Sequence, residues 1–123
     1  MTTPLTSVET REAAHSLLAS DGVPVSVIKD SPGFVAQRVV AHIVNVGCDI
    51  AQMRIATPDD LDRAVVLGLS YPRGPLAWGD ALGAANVHRI LEAMHEATGD
   101  PRYRPTRWLA RRAALELPLT TPD

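Results

Sequence analysis

Cysteine occurs once in the 123 residues, at Cys48. A lone thiol excludes a disulfide framework within the chain, and its place in an apolar periodic segment reads as a small buried hydrophobe in a reducing compartment. Basic excess is missing too. Twelve Lys and Arg stand against 14 Asp and Glu, for a formal charge of −2, and the cations are spread along the chain rather than gathered into a stripe, so nucleic acid is not an expected partner. No apolar run approaches the roughly 20 residues a membrane span needs, and Met1 to Val8 lacks the charged and apolar regions of a signal peptide. A cytoplasmic protein with no membrane partner is expected. Neither a G-x-G-x-x-G nor a G-x-x-x-x-G-K-[ST] loop occurs, which excludes nucleotide binding by a standard loop.

What is present is helical patterning, in a length that fits one domain over residues 1–123. The expected class is all-α, with a long central helix packed by shorter ones. Thr6 with Glu9 forms a capping-box pattern that opens a helix through about Ala19. Val23 to Ile28 alternates and is β-branched, which favours an extended connector, with Pro24 confining it to an edge. Residues 1–29 thus read as a leading helix and connector. Ser31 and Pro32 are suited to N-cap and N1 of the central helix, from Gly33 to about Ile55, whose apolar positions Val35, Val39, Ile43, Val46, Ile50 and Met53 are three and four apart. A second apolar edge at Val40, Val44 and Gly47 implies neighbours on two sides, with Gly47 permitting close approach.

Thr57-Pro58-Asp59-Asp60 starts another helix, closed by Gly68. Tyr71 to Pro75 is a rigid loop, followed by a short helix from Pro75 to Leu82. Gly83 separates it from a helix over Ala84 to Thr98, ended by Gly99. Asp100 to Pro105 is a second ordered loop. Thr106 caps a last helix containing Trp108, Leu109 and Leu115. The core is expected over residues 30–115 with a tail over 116–123, of which Pro118 to Asp123 reads as polar and frayed.

Candidate chemistry is sparse. His88, Glu92 and His95 share one helical face, but span two turns, too far to hold one ion without a fourth group, so they read as a solvated face and no metal is expected. His42 has no acid or hydroxyl at a spacing that makes a nucleophile and base. Asp59, Asp60 and Asp62 are accounted for by capping and the helix dipole. Trp78 and Trp108 read as core or interface anchors. No catalytic residue is assigned.

Three blocks in order carry a resemblance: Ser31-Pro32-Gly33-Phe34-Val35-Ala36-Gln37-Arg38 opening the long helix; Leu61 to Ala64 running into Gly68 to Asp80; and Gly99 to Pro105. Over about Val25 to Arg112 the chain resembles the C-terminal helical domain of the 3-hydroxyacyl-CoA dehydrogenase family, oxidoreductases of fatty acid metabolism. The resemblance implies a dimerisation and substrate-side domain of an NAD-dependent 3-hydroxyacyl-CoA (3-hydroxybutyryl-CoA) dehydrogenase. Its catalytic histidine and glutamate, and its NAD site, belong to a nucleotide-binding domain whose motifs this sequence does not contain, so this chain holds no cofactor and is inactive alone. Implied partners are a second copy or a separate NAD-binding domain, with acyl-CoA as a possible ligand. The family asparagine near the reacting thioester falls at Gln37, which keeps the amide and adds a methylene. That departure, Tyr71 to Trp78, and the ending after Arg112 are similar to the second copy found in tandem-domain members, an internal dimer partner. In the family the 23–28 stretch is the last piece of the nucleotide domain's sheet; here it is expected to be extended and open to pairing with a symmetry mate. Two rival readings are a free-standing acyl-CoA-binding or CoA-thioester protein using Gln37 and the Tyr71 to Pro75 loop, and a helical interaction module.

Overall fold

The computed structural model describes residues 1–122. They contain six α-helices, one 3-10 turn and no sheet, so the fold is all-α as expected. The chain divides into two compact units, Met1–Ser31 and Pro32–Asp123.

In the first unit, α1 spans Val8–Leu18. The cap is Ser7 rather than Thr6: its hydroxyl accepts from the Thr10 amide, while the Thr6 hydroxyl is taken by the Thr3 amide. The turn at Thr3 competes for Thr6 and moves the start by one residue. No residue of α1 is buried. The 23–28 stretch is irregular, and Thr2 brackets its end, donating to the Ile28 carbonyl and accepting from the Asp30 amide at 2.9 and 2.8 Å. One bridge, Thr2 to Lys29, is the only strand-like pairing among the described residues.

The second unit is built on α2, Ala36–Gln52. It begins three residues later than its sequence signal, because Gly33 and Phe34 both take left-handed conformations, φ 75° and 51°. Pro32 to Phe34 is therefore a tight turn outside the helix, closed by the Arg38 amide donating to the Gly33 carbonyl at 2.8 Å. A side chain at position 33 would also meet the Met94 sulfur at 2.5 Å, so space as well as φ demands glycine. The helix buries Ala41, Val44, Asn45, Gly47, Cys48 and Ala51. Gly47 admits α4 as expected: a Cβ there would lie 2.7 Å from the Pro75 ring.

Helix α3, Pro58–Leu69, is capped by Thr57, which accepts from the Asp60 amide. Gly68 lies inside it, and the left-handed residue that ends it is Ser70 at φ 55°. Helices α4, Pro75–Leu82, and α5, Ala84–Thr98, have the expected bounds, with Gly99 left-handed at the end of α5. The 3-10 turn Pro101–Tyr103 leads to α6, Arg107–Ala114, capped by Thr106.

The expected frayed tail is not found at Leu119 to Thr121; Asp123 lies outside the described residues. Leu119 is fully buried, its amide donates to Asp80 Oδ1, and its carbonyl accepts from the Trp108 indole at 3.0 Å. Thr120 adds an amide and a hydroxyl bond to Asp80 Oδ2, and Arg112 donates twice to the Thr121 carbonyl. Polar composition suggested solvent, but one leucine among polar residues suffices to anchor a segment whose backbone groups find partners.

Cys48 sits at zero exposure in the core, and burial pushes its thiol up from 9.0 to about 12. With the folded value raised, the neutral thiol is the folded form; stability attributable to it is intact below pH 9 and declines as the pH rises towards about 12, where only the unfolded chain ionises freely. We expect Cys48 to resist a thiol reagent such as dithionitrobenzoate at neutral pH and to react at once in denaturant. Stoichiometric labelling of the native chain would contradict a buried thiol.

Candidate functional site

The Pro32 to Phe34 turn fixes where the first turn of α2 emerges. Arg38 braces it: Nη2 donates to the Pro32 carbonyl at 2.8 Å, Nη1 to the Tyr103 hydroxyl at 2.9 Å, and the guanidinium lies 5.4 Å from the Tyr103 ring centroid. The opening turn and the closing loop are thereby one rigid piece, and Gln37 is set on its exposed side.

Gln37 lines a groove of about 550 Å³ between α2, α4 and α5. Its walls are mainly apolar, from Val40, Trp78, Leu82 and Ile90, with Asn86 and Arg89 at the polar edge. Arg89 donates to the Asn86 side chain at 2.9 Å. An apolar cleft with a few polar groups at its rim suits an apolar ligand that carries a polar group. Trp78 stacks at a tilt on Tyr71, centroids 5.6 Å apart, which joins the Tyr71 to Pro75 loop to the wall of this groove.

A second groove, about 680 Å³, runs along the other flank of α2 beside the closing loop. His42, Asp49 and Val46 form its α2 side, and Arg102 and Arg104 of the closing loop with Arg107 of α6 its other side. The His42 ring packs edge-on to Tyr103, and its Nδ1 is buried without a hydrogen-bond partner among the described residues. Asp100 is held by Arg102, whose side-chain hydrogen bond draws the carboxyl down to about 2.

The other candidates disperse. His88 pairs with Glu92 at 3.8 Å, whereas His95 turns to the Asp100 carbonyl at 2.9 Å, so the helical trio does not converge. Trp108 is a core residue, with the Arg112 guanidinium over its ring. Asp60 serves its own helix start, accepting from the Thr57 hydroxyl. Asp62 does more than the dipole argument allowed: its carboxylate accepts from the Leu76 and Ala77 amides, both at 2.8 Å, and so caps α4 from the neighbouring helix. Sequence reasoning also passed over Asn45 and Asp80. Asn45 is buried within an apolar face, where it donates to the Arg104 carbonyl and accepts from the Thr106 amide, both at 3.0 Å. A polar residue flanked at helical spacing by Ala41 and Cys48 was the available signal, since such a group needs partners.

Comparison with known proteins decides the family. Residues 33–118 match the model described as 3-hydroxyacyl-CoA dehydrogenase, C-terminal domain. The chain belongs to this family. It is 43% identical over 107 residues to the 3-hydroxyadipyl-CoA dehydrogenase of Escherichia coli K12, covering 87% of this chain and 22% of that protein. A probable 3-hydroxybutyryl-CoA dehydrogenase of Bacillus subtilis is 34% identical over 100 residues, covering 81% of this chain and 35% of the relative. In three dimensions, 92% of the chain superposes on 24% of the crystal structure of 3-hydroxybutyryl-CoA dehydrogenase from Escherichia coli K12, with TM-score 0.82 and 39% identity. The chain thus spans about a fifth to a third of these dehydrogenases, and the matched segment holds both the Gln37 groove and the closing loop of the C-terminal domain.

Proposed function

We propose that this chain is the substrate-side and dimerisation domain of an NAD-dependent 3-hydroxyacyl-CoA dehydrogenase, and that hydride transfer is completed by a nucleotide-binding domain outside this sequence. The observation that carries the reading is the groove at the start of α2. It lies in the segment that matches the family's C-terminal domain, it is apolar enough for an acyl chain, and Gln37 is among the residues that line it. On this reading Gln37 stands for the family's asparagine near the thioester and offers the same donor and acceptor from one bond further out.

The sequence carries no G-x-G-x-x-G loop of the kind that cradles a dinucleotide. A dinucleotide's pyrophosphate needs free amides at a helix start following a tight glycine turn. At α4, which follows Gly74, the first amides are taken by the Asp62 carboxylate, which would repel a phosphate. No step through NAD is assigned to this chain.

The reading expects the isolated chain to show no NAD-dependent oxidation of 3-hydroxybutyryl-CoA; turnover from this chain alone would overturn it. The rival of a free-standing acyl-CoA-binding protein separates by titration with acetoacetyl-CoA. Micromolar binding by the isolated chain, abolished in Gln37→Ala, would favour the rival, and weak or absent binding favours a half-site that needs its other domain.

A further inference from the structure

Within the second unit, a cleft of about 420 Å³ lies between the end of α2 and α6, lined by Gln52, Arg54, Arg107, Trp108, Arg111 and Arg112. Four of these six residues are arginines and none is acidic, in a chain whose formal charge is −2. The fold gathers charge that the sequence separates, bringing Arg54 to the arginines of α6. Among the described residues the ion pairs are Arg11 with Glu12, His88 with Glu92 and Arg102 with Asp100, so Arg54, Arg107 and Arg111 stand exposed without a carboxylate partner. Local structure does not account for the cluster. Arg107 is the first residue of α6, whose first turn holds no acid, and a cation at a helix start opposes the helix dipole. Arg111 follows four residues later, a spacing at which like charges on a helix destabilise it. The polar groups beside them are fixed in place. Arg112 is buried, with its guanidinium 3.2 Å from the Trp108 ring centroid and two bonds to the Thr121 carbonyl. Gln52 Oε1 accepts from the Trp108 amide at 3.0 Å, which pins the side chain and leaves its Nε2 as a donor with no hydrogen bond among the described residues.

We infer that this cleft is an anion site, separate from the Gln37 groove, and that it takes a phosphate group in the form of a phosphomonoester or a pyrophosphate. Uncompensated like charges repel one another, and a bound dianion removes that cost while accepting from several guanidinium forks at once. Phosphate fits the donor set better than a carboxylate does, because it brings close to two charges and three acceptor oxygens instead of one charge and two. An apolar ligand is disfavoured, since the one apolar lining residue, Trp108, is 6% exposed and carries the Arg112 guanidinium over its ring. A helix rises about 1.5 Å per residue, which puts Gln52 about 22 Å along α2 from Gln37, so the two sites do not overlap. The same chemistry serves a phosphate carried by coenzyme A and one carried by an unrelated small molecule.

Isothermal titration calorimetry with sodium pyrophosphate, in a phosphate-free buffer at low salt, should show one saturable site. The double variant Arg107→Gln/Arg111→Gln should weaken it about tenfold or more. Arg11→Gln/Arg63→Gln removes the same two charges elsewhere and should leave the affinity within about twofold. All four side chains are exposed, and far-UV circular dichroism checks that both variants fold. Equal weakening in the two variants would show a response to net charge alone and overturn the site, as would the absence of saturable binding, or citrate binding more tightly than pyrophosphate. Competition identifies the source of the phosphate. Displacement of pyrophosphate by coenzyme A but not by dephospho-coenzyme A assigns the 3′-phosphomonoester, displacement by both assigns the coenzyme's pyrophosphate, and displacement by neither assigns a phosphate on another small molecule. None of these results touches the substrate-side assignment, which fails if the chain turns over substrate with NAD by itself.

Discussion

Leu119→Ala is expected to lower the stability of the second unit by about 2–5 kcal/mol, the range for a fully buried leucine whose site cannot collapse. The site is held open from below: a Cβ at Gly79 would strike the Leu119 side chain and lie 2.7 Å from Val44, so backbone and side chains already meet there and little can move in. The bonds around the residue add to the loss, since the Leu119 carbonyl is the partner of the Trp108 indole and its amide is held by Asp80. Urea unfolding followed by tryptophan fluorescence measures the effect as a fall in midpoint at unchanged slope. A loss below about 1 kcal/mol would mean that the last residues lie on the core without stabilising it.

Asp62→Ala should cost about 2–4 kcal/mol, more than an ordinary helix cap. Two backbone amides donate to this one carboxylate, and each hydrogen bond to a charged group contributes about 1.5–3 kcal/mol. Water cannot readily take its place, because Gly74 approaches within 2.6 Å of the Asp62 backbone, measured from where a Cβ would stand, and closes the gap between α3 and α4. Asp62→Asn keeps one acceptor oxygen and should recover part of the loss. Equal costs for the two variants in the same urea assay would show that packing, not the double acceptor, explains the position.

The legible parts of this fold were those set by local chemistry. Thr57-Pro58, Pro75, Gly83, Gly99 and Thr106 each act within a turn of their own position, and the helix ends they set are where the sequence put them; α3 instead runs through Gly68 to Leu69, and α6 stops at Ala114, one residue short of Leu115. Ser31-Pro32 misled because a good cap and a good first residue were followed by Gly33, and the backbone used the glycine for a left-handed turn rather than a helical one. The family, and with it the neighbourhood of Gln37, was legible because motif order survives where single residues vary. What stayed hidden were contacts between residues far apart in sequence: Asp62 with α4, Asn45 with the closing loop 59 residues on, and Asp80 with Leu119 39 residues on. Each is a polar group that periodicity treats as surface, and only the fold reveals which backbone amide it meets.

The absence of buried residues in α1 bears on how all these energies are read. Eleven residues are too few for a helix to persist on propensity alone, below the roughly 12–15 at which even Ala-rich peptides become marginal, so α1 leans on its Ser7 cap and on contacts within its own unit such as the hydrogen bond between the His15 ring and the Val25 carbonyl at 3.2 Å. Both tryptophans, Trp78 and Trp108, belong to the other unit. Fluorescence therefore watches one unit while circular dichroism sums both, and a melt in which the two signals part company would be a record of two bodies rather than a failure of two-state folding in either.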